Sequence, residues 1–454
     1  MAEPITSAEQ LRIISIRIES ERFNKPLLIS SGGTSTGIVI EANIYEDLSK
    51  PFLTGNIILQ DDQDIYRLAD ISGTEKVIID FVTPDNSSDV ITVKFIINEV
   101  TDSIKYNDFA SVLVLSLIED IKYFNDIQKF SKAYTGTGED IIKAIVKDKI
   151  NREVVIESKK LSAQKTFRYI VPYQNPFAAI KTILRKISTE NGFPFFFYSS
   201  IIDDKLYLTD LETIIGQEPF NRDRPFVYDQ SNTIKNDLES QATNITSYEA
   251  SVLDDTLHLA TYGGMGSKYE SVNATTGNPF ETHIDMNQHF KDLVGAELFP
   301  KSQNIINIDL DFIADPSGVN TNTIVEYDSK IVSRVMSEPY LDANGFDHEA
   351  STGQETLYII KDNITHHLLK NMYSVNAHGL LFSVANITTC VGHLLRMNIY
   401  RNDMGTDTAS GKAIDEKRSG DFVIMAKRHC FDVAGEKHNV AIQLSRIAQP
   451  RIAR

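Results

Sequence analysis

LLRMNI (394–399), GDFVIMAKRH (420–429) and VAIQLS (440–445) decide the fold of this chain. Leu395, Met397 and Ile399 alternate with Leu394, Arg396 and Asn398. A polar excursion from Arg401 to Ser419 separates this stretch from Gly420-Asp421 and the apolar run Phe422-Val423-Ile424-Met425, which leads to His429. A short turn around Gly435-Glu436-Lys437 opens the last stretch, where Val440, Ile442 and Leu444 alternate with Ala441, Gln443 and Ser445. Alternation with period two puts one kind of side chain on each face of a strand. Residues 394–447 therefore predict three antiparallel strands, the last two a hairpin.

A second stretch near the start has the same outline. Lys76 to Val82 alternates, with Val77, Ile79 and Phe81 on one face. After a polar turn at Asp85 to Asp89, Val93, Phe95 and Ile97 alternate with Lys94, Ile96 and Asn98. A turn at Lys105 to Asp108 and a strand from Val112 to Ile118 close the set. Phe95-Ile96-Ile97 corresponds to Phe422-Val423-Ile424, and the next strand follows each at nearly the same interval. Any two β-meanders share such an outline; the sharper expectation is one β-module used twice.

At 454 residues the chain exceeds one ordinary core and predicts two to four domains. No apolar run reaches the roughly 18 residues of a membrane helix, so no membrane anchor is expected. Met1 to Gln10 lacks the basic-then-apolar layout of a signal peptide. Two cysteines, Cys390 and Cys430, fit a reducing compartment and a chain that does not rely on disulfides, with a place as neighbours on adjacent strands of the closing unit left open to them. The net charge of −17 argues against holding nucleic acid or an anionic membrane, since phosphate neutralisation supplies most nucleic-acid affinity. Simple solubility also accounts for an acidic chain, and so does a wall past which DNA must slide without sticking.

Taken in order, Leu11 to Glu19, Gly37 to Tyr45 and Pro51 to Gln60 are further strands, so residues 10–120 read as a six- or seven-stranded antiparallel β-domain. Ser30 to Gly37 is a loop without P-loop spacing, and Asp61, Asp62 and Asp64 form a solvated acidic turn. Thr137-Gly138-Glu139-Asp140 starts a helix. Asn175 and Pro176 start another, with the stripe Phe177, Ile180, Ile183, Leu184 and Ile187, ended by Asn191-Gly192. Phe193 to Tyr198 turns at Asp203-Asp204 and returns as Leu206-Tyr207-Leu208, an aromatic hairpin core. Residues 216–241 read as an exposed polar connection, Ile245 to Leu259 as extended, Tyr262 to Gly266 as a tight reversal, and Lys268 to Asn278 as a long turn. Beyond these come a short helix at Asn287 to Val294, a strand at Ile306 to Phe312, a loop at Asp315 to Asn322, a helix at Lys361 to Met372 begun near Asp362 or Asn363, and a strand at His378 to Thr388. The resulting organisation is mainly β with α+β insertions. A first β-domain spans 1–120 and an α/β domain 121–215. A second β-domain is split between 216–265 and 373–454, with an inserted domain at 266–372.

The chemistry of an enzyme is not written in the chain. His366-His367 sit on different faces of one helix. His283 and His289 flank Asp285 at a spacing that suits neither helix nor strand, and Asp347-His348-Glu349 lies in a loop. No zinc-protease helix, nucleophile elbow or cysteine setting is present. The expectation is no catalytic residue, no cofactor and no metal.

With these pieces placed, the chain resembles the central hub proteins of contractile-tailed phage baseplates, a family similar to the hub portion of the type VI secretion spike VgrG. Gly55-Asn56-Ile57-Ile58-Leu59 through Ile118, Asn175 to Leu211, and Gly420-Asp421-Phe422-Val423-Ile424 through Arg446 carry the likeness, roughly half the chain. The resemblance implies two tail-tube-like antiparallel β-barrel or sandwich domains plus smaller α/β domains. It further implies a homotrimer in the virion's tail baseplate, assembled in the host cytoplasm. The implied partners are the tail tube protein, the central spike protein and other baseplate wedge proteins, with DNA passing transiently and without specific binding. Three chains with two modules each give six similar positions, so a threefold hub meets a sixfold tube. The chain ends at Arg454 just after its last strand, which predicts a separate spike chain. The alternatives are a secretion-system spike and a tail-borne cell-wall hydrolase with its site in 266–372.

Overall fold

The structure is a computed structural model. It describes residues 7–446 apart from 11, 23–24, 32–38, 62–64, 69, 83–89, 108–109, 159–165, 229–236, 251–260, 262–265, 274–276, 278, 286–288, 290–329, 337–339, 343–344, 348–353, 371, 383–385, 402–413, 416–417 and 434. It is mainly β. The N-terminal strands are β1 Arg12–Glu19, β2 Leu27–Ser31, β3 Val39–Asp47, β4 Thr54–Asp61, β5 Lys76–Val82, β6 Val90–Asn107 and β7 Ala110–Ile118, with the short helix α1 Ile65–Leu68 after β4. The middle of the chain contributes α2 Asp120–Ile127, β8 Ala133–Gly136, α3 Gly138–Lys149, β9 Val154–Ile156, β10 Phe167–Ile170, α4 Pro176–Lys186, β11 Phe195–Ser199, β12 Leu206–Asp210 and α5 Leu211–Ile215. Then follow β13 Phe226–Tyr228, α6 Leu238–Ala242, β14 Ile245–Ala250, β15 Gly266–Asn273, β16 Pro279–Asp285, β17 Lys330–Met336, β18 Tyr340–Asp342 and β19 Gly345–Asp347. The closing part is α7 Gln354–Lys370, β20 Met372–His378, β21 Leu394–Ile399, β22 Gly420–Asp432 and β23 Lys437–Ser445.

One 13-stranded sheet runs through both ends of the chain in the order β14-β20-β23-β22-β3-β4-β7-β6-β5-β1-β2, with β21 on β22 and β13 on β21. Two sets of five strands within it share one plan. The order β3-β4-β7-β6-β5 matches β14-β20-β23-β22-β21, and every pairing within both sets is antiparallel. Their registers match as well. Val77 faces Phe95 as Leu395 faces Phe422, and Thr54 faces Ile118 as Met372 faces Ser445. The irregularities also coincide. The shift between Val39 and Glu41 against β4 repeats between Ile245 and Ser247 against β20, and that between Ile97 and Glu99 repeats between Ile424 and Ala426. A one-residue slip would turn every side chain to the other face, so matched register means matched inward faces. The alignment of Phe95-Ile96-Ile97 with Phe422-Val423-Ile424 is the one these registers give.

Three cores lie under these elements. The first set encloses Ile44, Ile57, Leu59, Ile79, Phe81, Phe95 and Leu117. The second encloses Tyr373, Val375, Leu395, Met397, Phe422, Ile424, Ile442 and Leu444. The third gathers Ile141, Ile145, Val146, Ile180, Ile183, Phe197 and Leu208 between α3, α4 and the β11–β12 hairpin. Helix α3 starts as its sequence dictates: the Thr137 hydroxyl accepts the Asp140 N–H at 3.3 Å, closing a capping box. The Asn175 side chain accepts the Ala178 N–H at 3.0 Å, and Pro176 fills the first turn of α4. That helix ends at Lys186 rather than at Asn191-Gly192, because the buried Lys361 of α7 donates to the carbonyls of Leu184, Arg185 and Ile187 at its C-terminal end.

Several local expectations are corrected. Residues 216–241 are no exposed connection: Phe226 is buried and β13 pairs in parallel with β21. Lys268 to Asn278 is no long turn, since β15 runs to Asn273 between antiparallel β16 and parallel β17. Helix α7 begins at Gln354, so Asp362 and Asn363 lie inside it, and Asn363 is wholly buried. The strand expected at His378 to Thr388 lies earlier, at Met372–His378, followed by 3₁₀ turns at Leu380–Phe382 and Ile387–Thr389. Strand β6 carries on to Asn107, through the turn expected from Lys105. Cys430 is on β22 but Cys390 follows a 3₁₀ turn, so the two are not strand neighbours; both are free thiols. The helix at Asn287 to Val294, the strand at Ile306 to Phe312 and the loop at Asp315 to Asn322 fall, but for residue 289, outside the described residues.

Candidate functional site

The two strand sets join along one seam. The C-terminal half of β22 pairs with β3 from Ala426 opposite Asp47 to Asp432 opposite Glu41. The N-terminal half of β22 pairs with β21, so one strand is shared between the two sets. Phe431, on this half of β22, packs in the first core, with its ring 5.3 Å from that of Phe81.

A polar cluster is sealed under the seam. Lys427 and Glu46 are fully buried, with Nζ 2.7 Å from Oε2. Lys427 also donates to the Thr389 carbonyl at 2.9 Å, and Glu46 Oε1 accepts the Ile201 N–H at 2.7 Å. Burial works against charge on both groups. Each nevertheless stays ionised, because the other's charge and the hydrogen bonds around the pair together outweigh that penalty: the Glu46 carboxyl sits at about 2, and the ammonium of Lys427 is raised. Beside them the buried rings of His429 and His438 stack, with Nδ1 of the first 3.1 Å from Nε2 of the second. Burial, with the nearby Lys427 charge, lowers the pKa of both, that of His438 well below the ordinary range. Gly379 closes the cluster from β20's end; a Cβ there would lie 2.0 Å from His438 Nδ1. On the outer side, Arg428 pairs with Glu41 at 2.8 Å and with the Asn43 side chain at 2.9 Å, above a cleft of ≈ 460 Å³ lined in part by Tyr45, Lys50, Phe52 and Gln443.

The cluster gives the chain a signed pH dependence. Both histidines have lowered folded pKa values against an ordinary 6.5, so the unfolded chain takes up protons first as the pH drops. Stability is complete above 6.5 and is lost below it, by up to about 1.4 kcal/mol per pH unit for each ring. Glu46 adds a second loss as the pH falls from 4.5 to about 2. Urea midpoints at pH 8, 6 and 5 check this: a steady fall below 6.5 is expected, and a flat profile to pH 5 contradicts it.

The arrangement holds strands together; it does not present a reactive group. The Cys390 thiol is pushed up to about 12 by burial and by the Glu46 carboxylate, so it is no thiolate nucleophile. His429, singled out in the sequence, lies in the cluster, and Arg446 donates to the Ser419 carbonyl at 2.9 Å under the ring of Phe422. His283 is exposed on β16, while the His289 ring is 3.1 Å from the Asn191 carbonyl, beyond α4. Asp61 is buried at the end of β4, not solvated; 62–64 lie outside the described residues. Among the described residues no three His, Cys, Asp or Glu side chains are grouped to hold a metal, and no helix is long and apolar enough to cross a membrane. Lys427, Glu46 and His438 were not legible in the sequence. The only signal was a lysine at an inward position of an apolar strand.

The mainly β fold of this chain is one that solved structures described as tail proteins share. Among solved structures, the tail protein from Neisseria meningitidis MC58 shares the fold at a TM-score of 0.52, with 12% identity, over 95% of this chain and 96% of that one. The 43 kDa tail protein of prophage MuSo2 from Shewanella oneidensis matches at a TM-score of 0.52 and 10% identity, over 95% of this chain and 98% of that one. An Escherichia coli protein described as a component of the type VI secretion system matches at 8% identity and a TM-score of 0.40, over 96% of this chain and 77% of that one, too low to carry weight. No protein-family model matches the chain, and no curated protein matches it by sequence.

Proposed function

We propose that this chain is a structural, non-catalytic protein of a contractile tail: a trimeric baseplate hub. It joins a sixfold tail tube to a threefold central spike and lines part of the channel for DNA. The observation that carries the reading is the repeated five-strand plan, in which order, register and bulges coincide. Two copies of one building block per chain let three chains offer six like positions, which is what a threefold-to-sixfold adaptor needs. On this reading the first block spans 1–120, the second 216–265 with 373–454, and the α/β and inserted parts (121–215 and 266–372) stand outside the ring and meet spike and wedge proteins. The excess of acidic groups, net −17, supports a channel that repels phosphate instead of binding it.

The test is the particle itself. Light scattering on the purified chain should give three times its 51.0 kDa, and electron microscopy should show a ring with pseudo-sixfold symmetry. A two-fold particle, or a ring without the pseudo-sixfold repeat, contradicts the hub. A basic lumen contradicts the DNA channel alone.

A further inference from the structure

The seam inside the chain specifies a second seam between chains. Each five-strand set has the same two joining edges. In the first set, the outer edge of β3 is covered by β22. The equivalent strand in the second set is β14, which pairs with β20 on one side. On the other, β13 reaches only the residue before it, through the Val227–Asn244 bridge, and Tyr228 packs on the Tyr248 ring, so that among the described strands no ladder covers Tyr248 to Ala250. In the second set, the half of β22 beyond β21 is what reaches across. The equivalent half in the first set is β6 from Glu99 to Asn107, which among the described strands pairs only with β7. So the chain carries, unpaired among its described strands, one edge of each kind.

Burial agrees. Ala42, Asn43 and Ile44 on β3 are buried beneath the seam. Their register equivalents on β14 are Tyr248, Glu249 and Ala250, of which Glu249 is exposed and the other two are half-buried. On the opposite edge Lys427 is buried and its equivalent Val100 is half-buried, between exposed Glu99 and Thr101. Long open strand edges invite pairing with another chain. Here the two edges are complementary, not self-complementary, so pairing is head-to-tail, and a head-to-tail contact builds a ring when its rotation closes.

We propose that β14 of one copy pairs antiparallel with the C-terminal half of β6 of a second copy, in the register that β3 and β22 use within the chain. His429 faces Ile44 in the internal seam. Ala250 of one copy therefore faces Asp102 of the next, and Glu249 follows opposite Ile104 across the β6 irregularity between Asp102 and Ile104. This inference deepens the trimeric reading and rests on it: three internal and three external seams alternate around the ring.

The test is a cysteine pair. Facing residues on antiparallel strands have Cβ atoms about 4.5–5.5 Å apart, close to disulfide reach, whereas a two-residue offset places them about 7–8 Å apart. The chain carrying Asp102→Cys with Ala250→Cys should form an interchain disulfide under mild oxidation at least tenfold faster than the chain carrying Asp102→Cys with Tyr248→Cys. Chains carrying each single cysteine control for Cys430. Independently, Ala250→Pro should remove an edge donor, leave the far-ultraviolet circular dichroism unchanged and convert the assembly to single chains. A trimer whose matched pair links no faster than the offset pair, or that survives Ala250→Pro intact, overturns this seam and leaves the trimeric reading standing. A chain that is monomeric by mass and forms no link overturns both.

Discussion

Lys427→Met is expected to cost the chain about 3–5 kcal/mol, because it strands the Glu46 carboxylate in a fully buried site without its counter-charge. Glu46→Gln should cost a similar amount from the other side, leaving an uncompensated ammonium held only by the Thr389 carbonyl. The double replacement should recover most of the loss, since two neutral side chains of similar volume have no charge to desolvate. Urea denaturation of the four proteins at pH 7.5 measures this as a double-mutant cycle. The pH profile adds a second signature. The acid loss between 4.5 and about 2 that belongs to Glu46 should vanish in Glu46→Gln, while the histidine component below 6.5 should remain. Single variants each within 1 kcal/mol of the parent would mean that the pair is hydrated.

Phe431→Ala is the other large expected effect, at about 3–5 kcal/mol. The side chain is fully buried, its ring 5.3 Å from Phe81 and 4.6 Å from His438. Its backbone belongs to the C-terminal strand set and its side chain to the N-terminal core. The cavity therefore opens in the first core while the covalent change sits in the second set. Native-state hydrogen exchange should show β3 and β5 amides losing protection together with those of β22 and β23. Loss confined to β22 and β23 would show that the two sets open independently.

The sequence revealed most of the main sheet because its strands bury one face. Val77, Ile79 and Phe81, or Val440, Ile442 and Leu444, repeat every second residue, and that repeat is a direct consequence of strand geometry. The two capped helices were legible for an equally local reason, the Thr137 and Asn175 side chains. What stayed hidden depends on distant partners. Gly266–Asn273 places Tyr269 and two small serines inward and reads as polar, yet β16 and β17 flank it on both sides. Phe226 stands between Phe220 and Tyr228 in an otherwise polar stretch, and only β21 makes it part of a strand. The seam was the least visible of all: nothing local in Glu46 or Lys427 announces a partner hundreds of residues away. The repeat of the five-strand plan was suggested by the outline of two meanders, but its proof needed the pairings on both sides of each strand.

Strand β22 belongs to both strand sets at once, and this has a mechanical meaning. A load that slides one half past the other acts along the seam, so the hydrogen bonds from Ala426 to Asp432 must yield together instead of peeling one by one. Bending at the joint is resisted too, because the strand continues without a break from one side to the other and carries its aromatic anchor across. The pair of halves thus behaves as a single stiff stave that transmits force from one side to the other without folding at its middle.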